Sequence, residues 1–359
     1  MHADFFNIAT YVILNLLLFF SWYSLLFRKK TLLSFTDRLI GTFVLSLTQI
    51  IATEMLLGVL FKMLYATPLF LLNISISSGV LFLALKQRTQ TTPYLNLKDI
   101  FLELKNNINW FLGVIKADLV LLCIFGLFLV SVCWMIFLGY LFPSYAWDAL
   151  WYHLPMVGYI MQNGAIQENP VPSLVVFINT LPKNIELFFL WNTIFLKNDI
   201  IVDLSQLPFT IAGVLTVYSM GIKLRIKREY AIYSSLLFFF TPIIILQSTT
   251  NYVDIAVSVL FLIAINFLMY DNLEDYTDNR GIKIPILLSG LAAGILLGSK
   301  GSGPLFVAVL SSVIIIQEFI KRINPLNIIS SGHKGYSLKE NFIHYLIYFI
   351  APVFLMGGY

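Results

Sequence analysis

Long stretches without charge recur along the whole chain, and a lipid bilayer is the solvent that tolerates so much apolar surface. Stretches long enough to cross the hydrocarbon core lie near 5–27, 39–60, 68–86, 117–142, 201–222, 231–249, 253–270, 284–299, 303–319 and 342–359. The sequence therefore predicts an all-α polytopic membrane protein of about ten spans. Hydrophobic residues fill 58% of the 359 positions and charged residues only 12%, which excludes a water-soluble reading. The first stretch has no basic region ahead of it and ends on Arg28-Lys29-Lys30, so it reads as a retained span rather than a cleaved signal.

Lysine and arginine collect in alternate connections. Arg28, Lys29, Lys30 and Arg38 lie in 28–38, and Lys86, Arg88, Lys98, Lys105 and Lys116 in 86–116. Lys223, Arg225, Lys227 and Arg228 lie in 223–230, and Lys321, Arg322, Lys334 and Lys339 in 320–341. Left in the cytoplasm, these clusters put the opposite connections outside, where the positive load is only Lys62, Lys183, Lys197 and Lys300. The formal charge of +4 thus reports orientation in a plasma membrane, and no basic stripe suggests nucleic acid. The same scheme makes 185–196, apolar but too short to cross, a helix in the outer interface, with Phe188, Phe189, Trp191 and Phe195 embedded in lipid. The outer loop 143–200 then contains two interfacial pieces, this one and 149–162. Cys123 and Cys133 share one expected span about 15 Å apart along a helix, too far to pair or to hold a metal together.

The long outer loop carries the groups with chemistry to offer. Asp148, in Trp147-Asp148 ahead of Tyr152-His153-Leu154-Pro155, is a carboxylate among aromatic rings at a membrane surface. Partial desolvation there suits it to take a proton from a hydroxyl or amine, and the bland alternative is a helix cap. Lys183 precedes the second interfacial piece, and Lys300 sits in Gly298-Ser299-Lys300-Gly301-Ser302-Gly303. A lysine among glycines suits a phosphate, with snorkelling as the structural alternative. Asp254 begins an outer-starting span and is placed to approach Asp148. Glu54 and Asp203 are weaker candidates, Glu54 being costly in a span unless paired. His153 has no neighbouring ligand motif and reads as a structural or substrate-contacting side chain.

In their order these residues resemble the GT-C membrane glycosyltransferases that use lipid-phosphate-linked sugars, especially relatives of protein O-mannosyltransferases and aminoarabinose transferases. The resemblance covers about residues 140–305 and rests on the loop Asp148, Asn163-Gly164, Leu181-Pro182-Lys183-Asn184-Ile185-Glu186-Leu187, Leu207-Pro208-Phe209, Thr249-Thr250-Asn251-Tyr252-Val253-Asp254 and the Gly-rich run ending in Ser299-Lys300-Gly301. It implies a GT-C-like fold and a glycosyltransferase that moves a sugar from a polyprenyl-phosphate donor to a glycan, lipid or protein acceptor outside the membrane. Asp148 and Asp254 would be catalytic, and Lys183, Lys300, Tyr152 and His153 would hold the donor and its phosphate. Family members often have Asp-Glu at the loop start, whereas Ala149 follows Asp148 here, which leaves a divalent metal unsupported. The expected organisation is a three-span segment over 1–116, a catalytic membrane core over 117–319, and a connection with a last span over 320–359. Relatives often continue beyond such a last span, so the chain reads equally as a fragment. A multi-span transporter and a non-catalytic assembly protein are the rival classes.

Overall fold

The computed structural model describes residues 5–28, 33–86, 97–171, 173–272, 283–323 and 343–357. Of the cations that set the expected sidedness, Lys29, Lys30, Arg88, Lys334 and Lys339 fall outside them. The described residues are helical with no strand. The longer helices are α1 (Phe5–Phe27), α2 (Phe35–Met55, continued by a π-turn over Leu56–Phe61), α3 (Ala66–Lys86), α4 (Leu97–Ala117) and α5 (Leu119–Leu141). The middle of the chain folds as α6 (Leu154–Asn163), α7 (Asn184–Ile194), α8 (Leu207–Lys223), α9 (Arg228–Phe239) and α10 (Pro242–Gln247). It ends in α11 (Asp254–Leu268), α12 (Ile284–Leu297), α13 (Gly303–Ile323) and α14 (Ala351–Gly357).

Local chemistry sets the boundaries. Ser34 caps α2 by accepting from the Asp37 amide, and Asp118 opens α5 by accepting from Val120 and Leu121. Proline in the first turn starts α8, α10 and α12, where its missing N–H costs nothing.

Among the described residues four helices are long and apolar enough to cross a bilayer: α1, α2 with its π-turn, α3 and α5. That is fewer than the ten spans expected, and the difference has a physical origin. An uncharged run in sequence also contains caps and breaks. The run 231–249 divides at Thr241-Pro242 into α9 and α10, and Gly298 closes α12 after 14 residues. Helices α11 and α12 are buried along nearly their whole length, so other helices rather than lipid surround them and their length need not match the hydrocarbon core. The surfaces of α1 and α5 are mostly open, as lipid-facing spans require.

The core is built from α2, α7, α8, α11 and α12. Gly290 and Gly294 stand one turn apart on α12 and let the backbone of 349–353 lie against it, since a Cβ at Gly290 would come within 2.7 Å of the Phe349 carbonyl oxygen. Polar staples join the helices where hydrocarbon would leave side chains unsatisfied. Gln49 donates to Asn73 and Ser77, Asn73 donates to Thr53, and Trp22 donates to Gln49. Asp37 accepts from Ser219, Lys223, Asn266 and Tyr270, drawing α8 and the end of α11 onto the start of α2. Arg38, fully buried, pairs with Glu103 of α4 at 2.6 Å. Glu54 lacks the partner its position calls for: it is completely buried and neither oxygen is hydrogen-bonded among the described residues.

The expected interfacial helix over 185–196 is corrected by α7. Every residue of α7 is buried, and Phe188, Phe189, Trp191 and Phe195 pack inside the protein rather than in lipid. A helix this apolar is buried either in lipid or in protein, and its contacts decide for protein. Its polar groups are satisfied from other helices: Asn192 accepts from Tyr11 and donates to Ser205, while Trp191 donates to Asn15.

Candidate functional site

After α5 the chain leaves the bundle at Pro143 and is clamped at once. Ser144 donates to Asp203 at 2.6 Å and to Asn251, whose amide donates to the Val202 carbonyl at 2.7 Å. A helix then begins, and it opens into a π-turn over Ala149–His153 before continuing as α6. Pro155 supplies the cause: it has no N–H for the carbonyl four residues back and its ring crowds that carbonyl, so the turn widens to the five-residue bond from Leu154 N–H to the Ala149 carbonyl. Gly164 ends α6 in the left-handed conformation with its α-carbon against the Tyr65 ring, and bonds from Leu64 to Gly164 and from Ile166 to Gly58 tie this end of the loop to α2.

The widened turn divides its side chains between two environments. Asp148 and Tyr152 point one way, the tyrosine hydroxyl donating to the Asp148 carboxylate at 3.1 Å. The Asp148 side chain caps no backbone N–H, so the helix-cap alternative fails in the geometry. His153 points inward, buried, with its Nδ1 2.6 Å from Glu186 Oε1 on α7 and its ring 4.1 Å from that of Tyr152. Trp147, Trp151, Tyr152 and Phe177 form a chain of ring contacts above it, with Trp147 and Trp151 exposed.

Tyr152 reports what surrounds the site. Its phenol is pushed well above the ordinary range, first by burial and then by the negative charges of Asp148, Glu186 and Asp254. The charges of carboxylates on three separate elements therefore bear on one hydroxyl, and Asp148 alone is hydrogen-bonded to it. Asp254 is half exposed and its Oδ1 lies 2.5 Å from the Lys300 ammonium, which is similarly open. Gln206 fixes the start of α11, accepting from the Ala256 N–H, and Thr210 bonds Ser248 just ahead of it.

Lys183 is placed differently from Lys300. It is buried, and its ammonium donates to the carbonyls of Asn179 and Leu181 at 3.2 and 2.8 Å. Burial lowers its pKa, against the field of Glu186, which raises it. The neighbouring Asn184 joins this segment to the Lys300 turn: its N–H donates to the Gly298 carbonyl, and its amide to the Ile295 and Met356 carbonyls. A Cβ on Gly298 would collide with that amide. Because the amide nitrogen already holds two carbonyls it cannot shift without losing them, and Gly298→Ala is expected to cost about 1–3 kcal/mol and to loosen the Lys300 turn. Thermal unfolding of the variant in detergent measures this, and a wild-type midpoint would contradict it.

Two pairs result, Asp148 with Tyr152 and Asp254 with Lys300, and the charge of Asp254 reaches Tyr152. Lys183 sits behind them on backbone carbonyls, and His153 supports Tyr152 from within. Sequence reasoning missed Glu186, Asn184 and Gly298 as parts of the site. The available signal was an acid inside an otherwise apolar helix, which demands a buried partner. Among the described residues no three His, Cys, Asp or Glu side chains gather as a metal-holding group.

Asp203 stands apart, lining an apolar cavity of ≈ 370 Å³ beside Leu138, Phe142, Pro143, Tyr145 and Thr249. Burial raises its pKa to about 6, against the Ser144 hydrogen bond, which lowers it, and with a small push from Asp199. A carboxyl with a raised folded-state pKa leaves stability intact below pH 3.8 and withdraws it progressively up to about pH 6. Asp203→Asn, which keeps the acceptor for Ser144, is expected to raise the unfolding midpoint at pH 8 and leave it unchanged at pH 3.5. Equal midpoints at both pH values would contradict this.

No family model, curated protein or solved structure matches the chain.

Proposed function

We propose that this protein is a GT-C-like glycosyltransferase of the plasma membrane that takes a sugar from a polyprenyl-phosphate carrier and places it on an acceptor at the outer face. The observation that carries the reading is that Tyr152 bonds Asp148 and feels the charges of Glu186 and Asp254, while Asp254 pairs with Lys300. A group-transfer site of this kind needs a base and a cation within one sugar's reach. The order of sequence motifs over 140–305 supplies the substrate class.

In this mechanism Asp148 accepts the proton of the acceptor hydroxyl or amine. The freed electron pair forms the new bond to the anomeric carbon from the face opposite the phosphate. The bond from that carbon to the phosphate oxygen breaks with inversion, and its electron pair leaves on polyprenyl phosphate. Lys300 exchanges Asp254 for the phosphate and stabilises its growing charge, with Lys183 adding to the field from behind. The Tyr152 hydroxyl, kept protonated by its anionic surroundings, holds the Asp148 carboxylate toward the acceptor. The exposed Trp147 and Trp151 suit the headgroup level of the outer leaflet, where the carrier lipid holds its sugar.

The test compares lipid-linked sugars and envelope acceptors by mass spectrometry in host cells with and without the gene. Accumulation of one polyprenyl-phosphate sugar together with loss of that sugar from one acceptor is the expected result. Unchanged pools would count against transfer. A multi-span transporter is the alternative that one observation favours, the unpartnered intramembrane carboxyl of Glu54. It predicts solute uptake that Glu54→Gln abolishes, with every acceptor still modified.

A further inference from the structure

The connection 86–116, expected to be a cytoplasmic loop, contains the 21-residue helix α4, about 30 Å long. Its two ends are fixed to different parts of the bundle. Near its start Ile100 packs with Tyr23, Phe27 and Leu39, and Glu103 pairs with Arg38, so this end meets the last turns of α1 and the first turn of α2. Near its finish Phe111 and Ile115 pack with Leu121, Phe125, Ile232 and Leu236, and Trp110 lies under the Arg228 guanidinium at 4.8 Å, so that end meets the beginnings of α5 and α9. All four contacts are helix ends on one side of the bundle, the side that also carries Arg28, Lys86 and Arg225. Helix α4 therefore lies across the bundle's end rather than through it.

This geometry leaves one row of α4 uncovered. Leu97, Phe101, Leu104, Ile108 and Leu112 recur at helical spacing and are exposed, Phe101 by 63%. Lys98, Lys105 and Lys116 fall on a second line about 80° around the helix, along one edge of that row. Of the two acids, Glu103 is engaged by Arg38, and Asp99 lies beyond the lysine line. An apolar row edged with lysines, held level with the ends of membrane-crossing helices, has the chemistry of an anionic lipid surface.

We propose that α4 is an interfacial anchor: its Leu97-to-Leu112 row enters the acyl boundary of the leaflet at the cation-rich end, and Lys105 and Lys116 hold anionic headgroups. The inference stands on the membrane reading alone and is independent of the transferase reading.

Two measurements on the full chain test it in vesicles of phosphatidylcholine and phosphatidylglycerol. Nitroxides are placed through Phe101→Cys, Ile108→Cys or Asn106→Cys in a background carrying Cys123→Ser and Cys133→Ser. Labels at 101 and 108 should collide freely with oxygen and be shielded from a water-soluble nickel complex, and the label at 106 on the opposite face should show the reverse. Nickel-accessible labels at 101 and 108 would overturn the proposal, as would labels shielded from both reagents and broadened by one another, the mark of a second copy covering the row. The second measurement keeps the native cysteines and reads the enrichment of spin-labelled phosphatidylglycerol over phosphatidylcholine around the protein. The combined Lys105→Gln and Lys116→Gln variant should lose at least about fivefold of that enrichment. Undiminished enrichment would remove the headgroup assignment.

Discussion

Asp148→Asn is expected to lower sugar transfer by about 10²- to 10⁴-fold, the usual contribution of a positioned general base, while binding of the lipid-linked donor changes by no more than a few fold. The asparagine keeps the volume of the aspartate and an oxygen to accept from Tyr152, so the π-turn over Ala149–His153 has no reason to rearrange. What it loses is the capacity to take a proton. Tyr152→Phe removes the hydroxyl and leaves the carboxylate in place, so a smaller loss is expected there. Because the surroundings hold Tyr152 as a neutral hydroxyl, its ionisation should leave no step in the rate up to pH 10. Rates and donor affinities of the purified variants in vesicles decide the matter. Near-normal transfer by Asp148→Asn would remove Asp148 from the mechanism.

Asp37→Ala should have the largest effect on stability, about 3–5 kcal/mol, the loss associated with breaking a buried ion pair from one side. The carboxylate joins Ser219 and Lys223 of α8 to Asn266 of α11 and to Tyr270 just beyond it. Removing it leaves the Lys223 ammonium with the Asn266 carbonyl and side chain and the face of the Tyr270 ring, but with no anion among those partners. Asp37→Asn keeps some acceptors and should lose less. Denaturant unfolding in detergent, followed by near-ultraviolet circular dichroism, gives the comparison. A loss below about 1 kcal/mol for Asp37→Ala would mean that the cluster does not hold these helices together.

The all-helical class and the outline of the first apolar helices were legible because uncharged length is a property of the sequence itself. The run 5–27 became α1 with the same limits, and 117–142 became α5 within two residues at each end. Helix α4 escaped because its apolar residues are interleaved with Lys98, Asp99, Glu103 and Lys105, and a search for uncharged runs passes over a period of 3.6. Helix α7 was visible as apolar but was given the wrong surroundings. Its length excluded a span, and nothing local separates a helix lying in lipid from one buried in protein. At the site, Asp148, Asp254 and Lys300 were accessible through the order of motifs, each at the start or end of an apolar run. Glu186 was not, because its partner His153 is 33 residues away and the pair exists only once α6 lies on α7. Gly298 could be seen as part of a glycine-rich turn, but its closeness to Asn184 is a fact of the fold.

Phosphorus NMR of vesicles containing the wild-type protein, a polyprenyl-phosphate sugar and an extract of the host envelope as acceptor follows the transfer itself. The phosphodiester signal of the donor should convert to the phosphomonoester of free polyprenyl phosphate. Conversion should need both the acceptor and Asp148. A donor signal that persists with every lipid-linked sugar drawn from the host, or that converts equally in Asp148→Asn, would contradict the proposal.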